Sequence, residues 1–201
     1  MTEAILLIRR LWTGEIVDYP GEYYTVEGAK LYCLPSQPVP IYVAASGKNS
    51  MRLAGEYGDG LITDTKSLQN AEMMAAFRAG AQAAGKDPAS LPIIVEQWAF
   101  VGERAEVDQW ANLWRFIPKA FEKYVNNPDP RSIQAQAEAE LELSEVSKDW
   151  AVSTDPAEHV EGLQKLIKAG ASTIFVHSPQ PDQERMIEFY GREVLPQLGR
   201  G

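Results

Sequence analysis

The chain has 201 residues, with 45% apolar and 23% charged side chains and a formal net charge of −9. That is enough for a sizeable core and is the balance of an ordinary globular domain. No Lys/Arg cluster offsets the acidity, so a nucleic-acid partner is not expected. No apolar run approaches the roughly 20 residues of a bilayer span. Met1-Thr2-Glu3-Ala4 lacks the basic-then-apolar pattern of a signal peptide. Cys33 is the single cysteine, which excludes an internal disulfide and suits a cytoplasmic location. With two histidines far apart in the chain, a zinc site is not expected either.

In chain order, Ile5, Ile8 and Trp12 fall at helical spacing, predicting an amphipathic helix over 2–12 that ends at Gly14. Two β-like runs follow, Glu22–Val26 and Ala29–Cys33, separated by Glu27-Gly28, and then a proline-rich extended connection through Pro35, Pro38 and Pro40. Ile41–Ser46 is a continuous run of small and apolar residues, which fits a buried parallel strand. A helix from Gly47 through Tyr57 comes next, then a strand over Leu61–Thr63 and a long Ala-rich helix from Ser67 to Ala84, stopped by Gly85. Ile93–Val101 is a third strand.

Residues 104–148 read as mostly helical, interrupted at Pro128-Asp129-Pro130, with an exposed helix over Gln134–Leu143. Trp110, Trp114 and Phe116 are expected to serve helix packing. The carboxylates of 138–145 are expected to form a charged face, and His159 a solvated position on a helix surface. Thr154-Asp155-Pro156 starts another helix, with Asp155 as cap. Thr173–Ser178 is the fourth strand, and a last helix runs from about Asp182 to Leu198. Alternating strands and helices imply an α/β fold with parallel strands. Periodicity alone does not separate a doubly wound sheet from a barrel of eight strands.

The segment from Val39 through Ala44-Ala45-Ser46-Gly47-Lys48-Asn49 to Gly58-Asp59-Gly60-Leu61-Ile62-Thr63 resembles the fifth strand, fifth helix and sixth strand of luciferase-like flavin and deazaflavin enzymes. Leu11-Trp12-Thr13-Gly14 and Gly21-Glu22-Tyr23-Tyr24 resemble the approach to it. The closing pieces, Thr154-Asp155-Pro156, Phe175-Val176-His177-Ser178 and Phe189-Tyr190-Gly191-Arg192-Glu193-Val194-Leu195-Pro196, are similar to the branch of F420-dependent glucose-6-phosphate dehydrogenases. The resemblance implies a partial (β/α)₈ barrel, its last four βα units. The lead-in would be 1–40, the βα units 41–103, a helical insertion 104–150 and the last unit 151–201. The first four strands would be missing, or supplied by another chain; a homo-oligomer is expected because exposed strand edges pair.

On the residues alone, the turn Ala44, Ala45, Ser46, Gly47, Lys48 and Asn49 is either an anion-binding helix start or a tight turn that uses Gly47 for conformation. It is not a Walker A loop, since Tyr42 stands where the first glycine belongs. The resemblance makes it the turn that holds the coenzyme: F420, with FMN as the alternative. The resemblance also puts Asp64, Thr65 and Lys66 at the substrate loop, with Gln97, Trp98 and His177 as further candidates. His177 reads equally as a satisfied strand-end histidine, and Trp98 as core. Asp64 and Asp149, with Glu96-Gln97 in place of a lysine, would repel an anionic substrate, so glucose 6-phosphate is not expected. The implied activity is hydride transfer between F420 and an alcohol- or aldehyde-type small molecule. Two alternatives remain: an FMN-dependent monooxygenase, and a non-catalytic half-barrel remnant or assembly partner. The family's acid and base lie in its N-terminal half, so no catalytic residue is assigned here.

Overall fold

The computed structural model describes residues 1–199, with Phe121 and Glu122 described without their side chains. The chain forms two compact units: Met1–Val95 with Ala169–Thr173, and Glu96–Lys168 with Ile174 to the C-terminus.

The first unit begins with helix α1 (Thr2–Leu11), ended by Gly14 at a φ of 77°. An antiparallel hairpin follows, β1 (Val17–Pro20) and β2 (Thr25–Ala29). It corrects the two strand expectations at 22–26 and 29–33. The turn lies at Gly21–Tyr24, where the Glu3 carboxylate accepts the Tyr23 and Tyr24 amides. Glu27-Gly28 is no turn. Gly28, at a φ of 57°, lies inside β2, and its amide donates to Asp18 Oδ1 at 2.7 Å where the register shifts. A glycine with positive φ marks a bulge as readily as a turn, and the sequence alone does not separate them.

Strand β3 (Tyr42–Ala44) pairs in parallel with β4 (Gly60–Asp64), Val43 opposite Leu61. Helix α2 (Lys48–Tyr57) joins them. The Leu61 amide donates to the Pro92 carbonyl, which places the start of β5 (Ile93–Val101) beside β4. Arg9 on α1 pairs with Asp59 at 2.8 Å, and the same carboxylate accepts the Ile41 amide. The helix expected over 67–84 is two helices, α3 (Thr65–Gln69) and α4 (Ala71–Ala83). Asn70 breaks the run and caps α4 by accepting the Glu72 and Met73 amides. Helices α2 and α4 touch backbone to backbone. A Cβ on Gly55 would run into the Phe77 carbonyl oxygen, and one on Gly80 into that of Arg52.

In the second unit β5 pairs in parallel with β6 (Ala151–Ser153), a short fifth strand of the sheet that sequence reading did not anticipate, and also pairs with β7 (Thr173–His177). The region 104–148 is helical as expected: α5 (Arg104–Ala111), short 3₁₀ turns at Asn112–Trp114 and Ile117–Lys119, then α6 (Pro130–Glu140) and α7 (Leu143–Ser147). Helix α6 starts four residues earlier than expected, because Asp129 caps it with Pro130 in its first turn. Asp155 accepts the Ala157 amide at the start of α8 (Pro156–Lys168), which ends at Gly170 with φ 110°. Helix α9 (Gln183–Phe189) continues as a π turn over Tyr190–Val194 and a 3₁₀ turn over Leu195–Gln197.

Alternation along β5 divides this unit's core. Ala99 and Val101 join Val160, Leu163, Met186, Tyr190 and Val194, whereas Phe100 joins Val107, Ala111, Val146 and Trp150. His159 is not solvated: it is 2% exposed, in a shell built from α8, β6 and the π turn.

Candidate functional site

Two groups of candidate residues stand out, one in each unit. The first is the turn from β3 into α2. The Ala45 amide donates to the Ile62 carbonyl at 2.9 Å, and Thr63 Oγ1 donates to the Ala45 carbonyl at 2.7 Å, fixing the end of the strand. Gly47 is the N-cap of α2, and its amide is taken by Ser50 Oγ at 3.2 Å. What the helix start leaves for an anion are the first-turn amides of Lys48 and Asn49, backed by the positive end of the helix dipole. No acidic side chain stands in that first turn to neutralise it.

Gly47 has φ −110°, ψ 154°, a conformation any residue adopts, and an added Cβ would meet only Ser50 Oγ, at 3.7 Å. Neither backbone nor packing requires glycine here, so the reading in which Gly47 serves conformation has no support in the geometry. The absent side chain leaves space beside the helix start, which suits close approach of a phosphate. Lys48 is turned to Glu72 on α4, Nζ to Oε1 at 2.7 Å, both side chains being well exposed. The hydrogen bond and charge of this pair raise the Lys48 pKa and lower that of Glu72.

The loop after β4 leads directly into α3. Asp64 caps α3: Oδ1 accepts the Ser67 amide and Oδ2 accepts the Ser67 hydroxyl, each at 2.8 Å. Thr65 and Lys66 are the first two residues of that helix.

The second group lies on β5 and β7. Glu96 and Trp98 are two residues apart and share a strand face, and both reach His177 at the end of β7. His177 Nδ1 lies 2.9 Å from Glu96 Oε1, and its ring stacks on Trp98 with centroids 4.2 Å apart and 15° between planes. An ionised carboxylate only accepts, so Nδ1 carries a proton, and in the neutral ring Nε2 is then the acceptor. With the two side chains 43% and 49% exposed, this contact orients the imidazole and adds little stability. Trp150 stacks on Trp98 at 5.2 Å, and Trp114 meets it edge-on at 4.9 Å. Gln97 donates Nε2 to the Trp98 carbonyl, so its amide is spent locally.

Trp114 therefore belongs to the cluster around Trp98 and His177 and is not only a helix-packing residue. Trp150 is likewise absent from the expected site, and Glu96 is expected there only as a residue replacing a lysine, not as the partner of His177. The two-residue spacing of Glu96 and Trp98 could have indicated the latter. Nothing local indicates Trp114 or Trp150, which arrive from separate segments. Among the described residues, no group of three or more His, Cys, Asp or Glu side chains is placed to hold a metal, and no helix is long and apolar enough to cross a membrane.

The model of the family described as luciferase-like monooxygenase matches residues 1–173. Over 198 residues the chain is 44% identical to F420-dependent hydroxymycolic acid dehydrogenase of Mycobacterium tuberculosis, an alignment covering 98% of this chain and 53% of that protein. It is 36% identical over 202 residues to F420-dependent glucose-6-phosphate dehydrogenase of Nakamurella multipartita, covering 98% and 59%. Among solved structures it is similar to an F420-dependent secondary alcohol dehydrogenase in complex with an F420-acetone adduct. There the TM-score is 0.86 and the identity 27%, with 99% of this chain and 61% of that one covered. The chain thus spans between about half and three fifths of the length of these relatives.

Proposed function

We propose, from the premise that this chain belongs to the luciferase-like monooxygenase family, that it provides the coenzyme-phosphate turn and part of the substrate wall of an F420-dependent oxidoreductase. The observation that carries this reading is the pairing of a helix start, Gly47-Lys48-Asn49, that is free of acidic residues with relatives that are F420-dependent dehydrogenases over 98% of the chain.

When bound, the deazaflavin supplies the hydride donor or acceptor. The chain's own part is positional. The Lys48 and Asn49 amides hold a phosphate of the coenzyme, with Ala44, Ala45 and Ser46 as the strand end that leads into them. Asp64 supports this turn indirectly, since Ser67, which it holds, also reaches the Ser46 carbonyl at 3.5 Å. Thr65 and Lys66 are the substrate candidates of the first unit, and Gln97 and Trp98, beside the aromatic cluster, those of the second.

His177 accepts a hydrogen bond from a substrate hydroxyl at Nε2, because Glu96 ties down Nδ1–H. The substrate is a neutral alcohol or aldehyde: at the sequence positions where the resembled sugar-phosphate enzymes hold phosphate, this chain carries Asp64, Asp149 and Glu96-Gln97, which do not favour an anion. The chain corresponds to the last four βα units of the barrel, and turnover requires the remaining units, whether in one polypeptide or two.

Competition between F420 and FMN tests the reading. F420 is expected to displace FMN from the 201-residue chain at equal concentration, with no hydride transfer from any alcohol to F420 by the chain alone. Tighter binding of FMN would move the assignment to the flavin monooxygenases. Turnover by the chain alone would place the reacting groups within these residues.

A further inference from the structure

The helical region between β5 and β6 contains a second candidate site, unrelated to the coenzyme turn. A cavity of about 340 Å³ lies between the 3₁₀ turn at Asn112–Trp114 and helix α6, at the lower end of ligand-pocket volumes, roughly 300–1,000 Å³. Its walls are mainly apolar, with Leu113, Phe116, Ile133 and Ala137 among them. Leu113 is 64% and Phe116 38% exposed.

Arg115 lines the same cavity. Its Nη1 donates to the Glu138 carbonyl at 3.1 Å, while its Nε is buried without an acceptor. No carboxylate is ion-paired with Arg115 among the described residues. The Glu138 carboxylate accepts instead from Gln134 Nε2, at 2.9 Å. Arg115 Nε does not stand alone. The buried side-chain polar atoms without partners among the described residues are Trp114 Nε1, Arg115 Nε and Tyr124 Oη, all from this one stretch and all able to donate. Of these three residues Arg115 alone lines the cavity; buried donors are ordinarily satisfied, and a guanidinium with an unsatisfied Nε–H at the wall of an apolar cavity suits an acceptor from outside the chain.

We infer that this cavity binds an amphipathic carboxylate, an aliphatic acid whose chain lies along Leu113, Phe116, Ile133 and Ala137 and whose head pairs with the Arg115 guanidinium. Planar, bidentate recognition of a carboxylate is what a guanidinium provides and an ammonium does not. The inference is independent of the coenzyme assignment, since the two sites share no residue.

The test uses sodium decanoate, with 1-decanol as the neutral counterpart, titrated calorimetrically into the full chain. Decanoate is expected to bind saturably and more tightly than decanol. Arg115→Met should weaken decanoate at least ten-fold and leave decanol unchanged, and Arg115→Lys should restore only part of the loss. Amide resonances of 112–116 and 133–138 should move on adding decanoate to the wild-type chain, a readout independent of whether the variants fold. Equal affinity for acid and alcohol, an unaffected Arg115→Met, or shifts confined to other residues would overturn the inference.

Discussion

The buried ring of His159 is held by Tyr190, whose hydroxyl lies 2.9 Å from Nδ1, while Nε2 lies 3.0 Å from the Ser153 carbonyl. A carbonyl only accepts, so Nε2 carries a proton, and in the neutral ring Tyr190 donates to Nδ1. The histidine joins α8, β6 and the C-terminal π turn in one chain of hydrogen bonds. Replacing Tyr190 by Phe leaves a buried acceptor unpaired. Urea unfolding should show a loss of about 1–3 kcal/mol.

The same pair sets an alkaline limit. Burial pushes the Tyr190 hydroxyl well above the usual tyrosine range. The folded chain keeps that proton when the unfolded chain releases it near pH 10, so this contribution is full below pH 10 and declines as pH rises further. Stability measured from pH 9 to 11.5 should fall with a component that Tyr190→Phe removes. An identical alkaline slope in the variant would show that other groups set it.

The contact between α2 and α4 depends on two glycines. Gly55 and Gly80 each lie where a Cβ would strike the facing backbone, an atom that cannot turn aside as a flexible side chain can. Gly80→Ala should separate the helices and cost about 1–3 kcal/mol despite alanine's better helix propensity. A neutral or stabilising effect in thermal denaturation would contradict the packing described.

Trp98 joins Trp150, Trp114 and His177 by ring contacts. Trp98→Ala should cost about 3 kcal/mol and shift the emission of the remaining tryptophans to the red as water enters. His177→Ala should leave stability nearly unchanged, because its contact with Glu96 is half exposed.

Glu72 pairs with Lys48, and under the proposed reading it would compete with an anionic ligand for that cation. Glu72→Gln should tighten binding of the phosphate-bearing coenzyme at low salt and lose the gain at high salt. Weaker binding in that variant would mean that the pair itself shapes the turn.

The parallel strands at 42–44, 60–64, 93–101 and 173–177 were legible because short apolar runs bounded by glycine and charge, alternating with helical patterns, have few other readings. The hairpin was misplaced because Gly28 marks a bulge, and its true turn is fixed by Glu3 from twenty residues away. Asn70 divides a helix whose Ala-rich pattern reads straight through it. His159 was misread because its burial comes from Tyr190, thirty-one residues downstream. The passage from strand to helix at 44–49 was legible from its small residues. The grouping of Trp98 with Trp114 and Trp150 was not, since it depends on tertiary packing alone.

The central claim, that the turn at Gly47 receives a coenzyme phosphate, is tested most directly by titrating F420 into the wild-type chain and Gly47→Val while following tryptophan fluorescence. Gly47 has an ordinary backbone conformation and open space at its Cβ, so the valine chain should fold as the wild type does. Saturable binding to the wild type, weakened at least ten-fold by the valine, is the result the account predicts. Binding of equal strength to both chains would contradict it and place the coenzyme elsewhere.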